Sequence, residues 1–308
     1  MDPASDLPSL VLRPQALAAG LVDDEIRRRR RRTQWATLQR GAYLVGPGRP
    51  DRRQRHLLAV QATLAGLRVP AVVSHGSAAA LHGLPLWGLR LDRVHVTRRP
   101  PARSADEGRL RSHVARLGAD DVVTVGRTAV TSIARTVADL ARAVPFAPAL
   151  VVADAALAGG ETTTDQLSAA LTSGTGTRGT RSARRVIEAA DGRSESVGES
   201  RSRALMIDAG LTSPELQVEI RRPDGWLIGR SDFGWEEHRL LGEFDGRVKY
   251  GRLLRPGQQP GDAVFEEKRR EDAMREEGWG MVRWVWDELA APAALVAHWA
   301  RALEHRGP

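Results

Sequence analysis

The 308-residue sequence contains no cysteine. That excludes disulfide scaffolds, thiolate zinc sites, iron–sulfur clusters and cysteine nucleophiles. Lysine is nearly absent: of 46 basic residues only Lys249 and Lys268 are lysines, and the rest are arginines. No apolar run approaches the roughly 18 residues of a membrane helix. The N-terminal MDPASDLPSL carries acids and no long apolar core, so it does not read as a secretory signal. These absences predict a cytoplasmic protein with no membrane partner. What is present is ordinary globular material, 42% hydrophobic and 27% charged, which rules out wholesale disorder. The length allows roughly two or three domains.

The charge balance is one-sided. A net charge of +8 and a pI near 10.9 favour an anionic partner, most often nucleic acid. Composition along the chain predicts an α/β (α+β) multidomain protein in three parts. Residues 1–56 are short and basic, with twelve arginines against six acids. Residues 57–192 are rich in Ala, Val and Leu and form an α/β middle domain. Residues 193–308 hold six of the eight tryptophans and both lysines. The stretch Thr172 to Thr180, TSGTGTRGT, contains a formal GxGxxG, but a helical pattern precedes it where a dinucleotide site needs a strand. It reads as a flexible connection.

In the first segment RPQALAA predicts a short helix over residues 13–19, stopped by Gly20. A second helix opens on Asp23-Asp24-Glu25 and runs into six consecutive arginines, an order that suits the helix macrodipole. Residues 35–45 alternate and turn at Arg40-Gly41, like a two-stranded wing. Helix, turn, basic helix and β-ribbon is the order of a winged helix-turn-helix. Arg27, Arg28, Arg29, Arg30, Arg31, Arg32 and Arg40 are therefore the candidate DNA contacts. Six arginines point all round a helix, so most would meet phosphates, which gives affinity more than sequence choice. The alternative is a solvated charged helix or a docking site for an acidic partner.

In the middle segment residues 72–83 predict a strand end followed by a Ser-capped helix, residues 93–97 a strand, and residues 130–140 entry to a helix capped by Thr131 or Ser132. His75, His82, His95 and His113 lack close metal-ligand spacing and read as structural or hydrogen-bonding residues. Together GAYLV, SHGSAAALHGLPL and VTSIARTVADLA resemble the actinobacterial relatives of the AbiEi-type antitoxins of type IV toxin–antitoxin systems. The resemblance covers roughly the first 190 residues. It implies a winged-helix DNA reader that represses its own operon, with a cognate toxin as partner.

The third segment predicts the order α-β-β-β-α-β and a closing helix. Glu243 and Asp245 lie two apart on one strand, hence on one face, and Asp232 sits eleven residues earlier across a short hairpin. Carboxylates so clustered call for a cation, and oxygen ligands suit Mg²⁺ or Mn²⁺. Asp232, Glu243 and Asp245 are the candidate metal ligands, Lys249 the group that orients or polarises water, and Arg270 a phosphate binder. Trp279, Trp284 and Trp286 read as core. The helix-borne Glu199, with Asp232, Glu243-Phe-Asp245-Gly246 and Lys249, resembles the PD-(D/E)XK nuclease superfamily, nearest its very-short-patch-repair branch. Glu267-Lys-Arg-Arg270 and Val282-Arg283 extend that likeness over about residues 194–287. By resemblance Glu199 is an outer carboxylate of the catalytic set and Lys249 the charge stabiliser. Asp245 stands where the superfamily carries lysine, so either Lys249 substitutes or the site is inactive. Three functions follow as expectations: a metal-dependent DNA endonuclease, an antitoxin-like transcriptional repressor with an inactive nuclease-like domain, or a scaffold without DNA affinity.

Overall fold

The computed structural model describes residues 9–172, 178–246 and 260–305. Positions 173–177 of the expected connection, and Lys249, lie outside the described residues. The chain divides into two units, one of Met1–Val144 with Glu161–Arg184, the other of Pro145–Gly160 with Arg185–Pro308.

The first unit opens with β1 (Ser9–Leu12), α1 (Arg13–Ala18), α2 (Asp23–Arg31), β2 (Trp35–Gln39) and β3 (Ala42–Val45). Gly41, at φ +75°, lets the chain reverse between β2 and β3. The strand β1 is not evident from the sequence; it pairs antiparallel with β3, giving a sheet in the order β1-β3-β2. Ile26 is the one buried residue of α2 and packs with Ala16, Trp35 and Tyr43. Arg13 grips Asp23 through Nε and Nη2 at 2.9 and 2.6 Å, tying α1 to the start of α2.

After α3 (Arg52–Gly66) come β4 (Val72–Val73), α4 (His75–Leu81), β5 (Val94–Arg98), β6 (Ala105–Glu107), β7 (Leu110–Val114), β8 (Val122–Val125), β9 (Thr128–Thr131) and α5 (Ile133–Ala143). Six strands form a mixed sheet in the order β6-β7-β5-β4-β9-β8. Ser132 caps α5 by accepting the Arg135 N–H, whereas Ser74 at the start of α4 makes no cap bond and its hydroxyl meets His75 instead. Leu38, Ala42 and Leu44 of the small sheet share one core with Val60, Val73, Val94, Val96 and Val130. The N-terminal module is thus not closed on itself. Arg135, buried, donates to Asp139 at 3.0 Å and to Asp121 at 3.1 Å. α7 (Thr164–Thr172) completes this unit, and α8 (Thr180–Ala189) carries the chain across the division.

The second unit takes α6 (Phe146–Ala158) from the expected middle segment. Within the unit Asp154 of α6, fully buried, accepts from Arg203 at 2.7 Å and from the Asp191 N–H at 2.9 Å. Then follow α9 (Val197–Asp208), β10 (Glu215–Arg221), β11 (Leu227–Trp235), β12 (Leu240–Asp245), α10 (Pro260–Glu276), β13 (Gly280–Val285), α11 (Trp286–Leu289) and α12 (Pro292–Glu304). The order from α9 to β13 is α-β-β-β-α-β. The sheet runs β10-β11-β12-β13, with only β12 and β13 parallel, as the intervening α10 allows. Its core holds Phe233, Trp235, Trp284 and Trp299, with Trp286 packed against the rim.

Helix α9 lies tight on β12 because Gly198 has no side chain. A Cβ there would fall inside the Phe244 ring. One turn on, Ser202 Oγ donates to Gly198 O and accepts from Trp284 Nε1 at 2.7 Å, so its buried polar atom is satisfied. This seat fixes Glu199, the next residue, over the sheet. Gly198→Ala is expected to overpack the contact and lower stability by about 1–3 kcal/mol. Urea denaturation of variant and parent measures it, and equal midpoints would show that α9 lifts away freely.

Candidate functional site

Three constellations carry chemistry. In the first, α2 and the β2–β3 turn present arginine to solvent. Arg27 pairs with Asp24, Arg28 with Glu25 at 3.6 Å, and Arg29 with Glu25 at 2.8 Å. The Arg29 guanidinium also lies 5.5 Å from the centre of Trp35, and that of Arg30 5.9 Å from Tyr43. Among the described residues Arg30, Arg31, Arg32 and Arg40 have no acidic partner, and all four are exposed. Two open clefts meet at α2. Arg27, Arg30 and Arg40 line one beside Tyr43; Arg27, Arg30 and Arg31 line the other beside Trp35 and Thr37.

The second constellation is the carboxylate centre. Asp232 on β11 accepts the Phe244 N–H at 2.9 Å, which locks it against β12. Glu243 is buried on β12 with Arg283 in register on β13. Its carboxylate meets Arg270 at 2.8 Å and Arg283 at 2.9 Å. Glu267 joins both guanidiniums at 2.7 Å, and Glu271 reaches Arg283 at 3.2 Å. Burial works to lower the Arg283 pKa, but Glu243, Glu271, Glu267 and Asp245 outweigh it and hold the pKa above its ordinary value. Glu267 is likewise desolvated, yet Arg270 and Arg283 keep its carboxyl below the usual range.

Asp232, Glu243 and Asp245 do not converge as a three-carboxylate group within 4.8 Å; among the described residues only His75, His95 and His113 bring three donor atoms that close. Arg270, the expected phosphate binder, pairs with Glu243 and Glu267. The physical reason is that a buried carboxylate must be compensated, and two guanidiniums reach Glu243 from α10 and β13. The Asp232 charge adds, after burial, to the negative field that raises the Glu199 pKa. Glu199 accepts from the Glu195 N–H at 2.9 Å and from Gln217 Nε2 at 3.0 Å. Gln217, which no sequence pattern singles out, adopts φ +56° inside β10.

The third constellation is invisible to sequence spacing. His75 at the start of α4, His95 on β5 and His113 on β7 form one cluster. Nδ1 of His95 stands 3.0 Å from Nε2 of His113, and the His75 ring stacks on His113 with centroids 3.8 Å apart. Burial, then the neighbouring imidazoles and Arg111, press His75 well below its ordinary pKa and His95 to about 4. Burial and Arg111 bring His113 to about 4 as well. Each ring is thereby biased toward its neutral form. The fourth histidine, His82, contacts the Thr131 carbonyl at 2.7 Å, a structural role.

A pH signature follows for Glu199. Burial raises its pKa above 4.5, against the lowering effect of Ser196 and the Glu195 N–H. The folded chain then holds this proton more tightly than the unfolded one, so stability from this group falls as pH rises above about 4.5. Glu199→Gln removes the fall. Thermal melts are expected to show an unchanged or higher midpoint at pH 7 and a flatter profile from about pH 4.5 to 7. A variant that melts much lower at pH 7 would refute the assignment.

No family profile matches the sequence. A search of solved structures finds the RV2827C protein from Mycobacterium tuberculosis at TM-score 0.39 and 15% identity, covering 70% of this chain and 85% of that one. A likeness that weak carries no weight for fold or function. The sequence relatives are nearer. The uncharacterized proteins MT2308 and Rv2248, from two strains of Mycobacterium tuberculosis, are each 33% identical over 235 residues, spanning 76% of this chain and 82% of the relative. The chain belongs to the family of these uncharacterized mycobacterial proteins.

Proposed function

We propose that the chain is a DNA-binding protein whose arginine-rich N-terminal module makes the contacts, in the manner of a winged helix. The observation that carries this reading is the set Arg30, Arg31, Arg32 and Arg40, exposed and without acidic partners among the described residues, around two clefts. The order β1-α1-α2-β2-β3, with β1 paired to β3, supports it by placing α2 and the hairpin side by side. Phosphate contact by such arginines gives salt-sensitive affinity. A repressor of the antitoxin type, acting on its own operon and bound by a cognate toxin, is the biological setting this reading favours. The second unit then serves as a folded body in which buried Asp154 and Glu243 are paired with arginine.

Fluorescence anisotropy with a labelled duplex tests the reading. Affinity is expected to fall linearly in log–log form with salt, and the slope to shrink by about 0.9 for each phosphate that a variant leaves unneutralised. The variant Arg30→Ala/Arg31→Ala/Arg32→Ala/Arg40→Ala is expected to abolish binding at physiological salt while keeping its melting midpoint. Binding that survives those four changes would defeat the proposal.

A second reading, metal-dependent phosphodiester hydrolysis with Mg²⁺ or Mn²⁺, draws on the α-β-β-β-α-β order and the Asp232 charge felt at Glu199. It requires Arg270 and Arg283 to release Glu243. Purified protein incubated with supercoiled plasmid and either ion is expected to leave it intact. Nicking that Asp232→Ala removes would instead establish the endonuclease.

A further inference from the structure

The histidine cluster lies in the first unit, away from both the arginines of α2 and the carboxylates of the second unit in sequence. Its construction is specific. β5 and β7 run parallel with His95 opposite Arg111 and Thr97 opposite His113. His95, Thr97, Arg111 and His113 therefore share one face of the sheet, and the two imidazoles meet across the pair. β4 pairs with β5, and the Ser74 N–H donates to the His95 carbonyl at 3.0 Å, which delivers His75 from the adjoining helix start. His75 holds φ +52°, the left-handed region that a side chain with a Cβ rarely adopts. Such an outlier points to a local requirement that the surrounding structure enforces.

We infer that His75, His95 and His113 form a binding site for one divalent transition-metal ion of the zinc class. The 3.0 Å separation of His95 Nδ1 and His113 Nε2 matches two nitrogens on one ion, which at about 2.0–2.1 Å from the metal stand roughly 3.0–3.4 Å apart. The third donor lies within 4.8 Å of both. Closing that gap asks His75 to turn out of its stack on His113 and aim a ring nitrogen at the ion. Among the described residues its ring makes one hydrogen bond, Nδ1 to Ser74 Oγ at 3.0 Å, a contact of the kind that orients a ligating imidazole through its other nitrogen.

The chemistry of the donor set decides which ion. Three imidazoles with no carboxylate select zinc, cobalt, nickel or copper and discriminate against Mg²⁺. Three protein ligands leave a position for water or an anion. Thr97 is 1% exposed, lies on the same face, and its Oγ1 has no hydrogen-bond partner among the described residues. An ion-bound water supplies the partner that this hydroxyl lacks. Arg111, exposed on that face, would attract an anion to the open position.

Full-length protein stripped with chelator and titrated with Zn²⁺ against a chromophoric competitor tests the site. One ion per chain is expected, unaffected by millimolar Mg²⁺, with the affinity of His95→Ala and of His113→Ala reduced at least 100-fold. Co²⁺ substitution of the parent chain is expected to give visible d–d bands of a nitrogen-ligated ion. That spectrum stands even if a variant misfolds, and circular dichroism of each variant, with His113→Gln as the milder change, controls for it. No stoichiometric ion in the parent, or equal affinity in a folded His113 variant, overturns the proposal.

Discussion

Three of the buried acids in this chain, Asp139, Asp154 and Glu243, are answered by guanidinium, while Glu199 is held by the Glu195 N–H and Gln217. Asp154 is held by Arg203, Asp139 by Arg135 and Arg142, and Glu243 by Arg270 and Arg283. A carboxylate removed from water is costly unless paired and hydrogen-bonded, and the planar fork of arginine does both at once. With lysine almost absent, the chain has little other cation for the task. These networks also join separate segments. Arg203 ties α9 to α6, Arg135 draws Asp121 from ahead of β8 onto α5, and the Glu243 centre binds β12 to β13 and α10. The pairing fixes which segments meet, and so the outline of each unit.

The same residue type is used in the opposite way at the N-terminus. The acids of α2 sit in its first turn and satisfy Arg27, Arg28 and Arg29 along the helix. Beyond their reach the later arginines stand in solvent, and among the described residues no carboxylate pairs with them in place of an incoming polyanion. Sign and position of charge thus separate an inward-compensated body from an outward-charged end. Under the proposed reading, this division lets one chain be both stable and adhesive to nucleic acid.

Much of the architecture is legible in the sequence because it rests on local pattern. The alternation of Leu216, Val218 and Ile220, the turn at Pro223-Asp224-Gly225 and the glycine stops at Gly20 and Gly210 mark elements by themselves. β1, β6 and β8 escape because each is three or four residues of partly exposed side chains whose identity comes only from a pairing partner. The surroundings of Glu243 are hidden for the same reason. Arg283 lies opposite it only through the parallel register of β12 and β13. The histidines mislead through their separation in sequence: spacing rules detect ligands on one helix or loop, whereas these three arrive on a helix start and two parallel strands.

The core that Leu38, Ala42 and Leu44 share with Val60, Val94 and Val130 bears on the history of such a chain. A terminal module sealed by its own hydrophobic residues can be exchanged between proteins by recombination, since the cut exposes little. Here the hairpin's inner face is completed by the larger sheet, so transplanting it alone would leave a greasy wound on both fragments. Residues on the two sides of that seam must change together, and lineages diverging in the front end are expected to carry matched substitutions in the valines behind it.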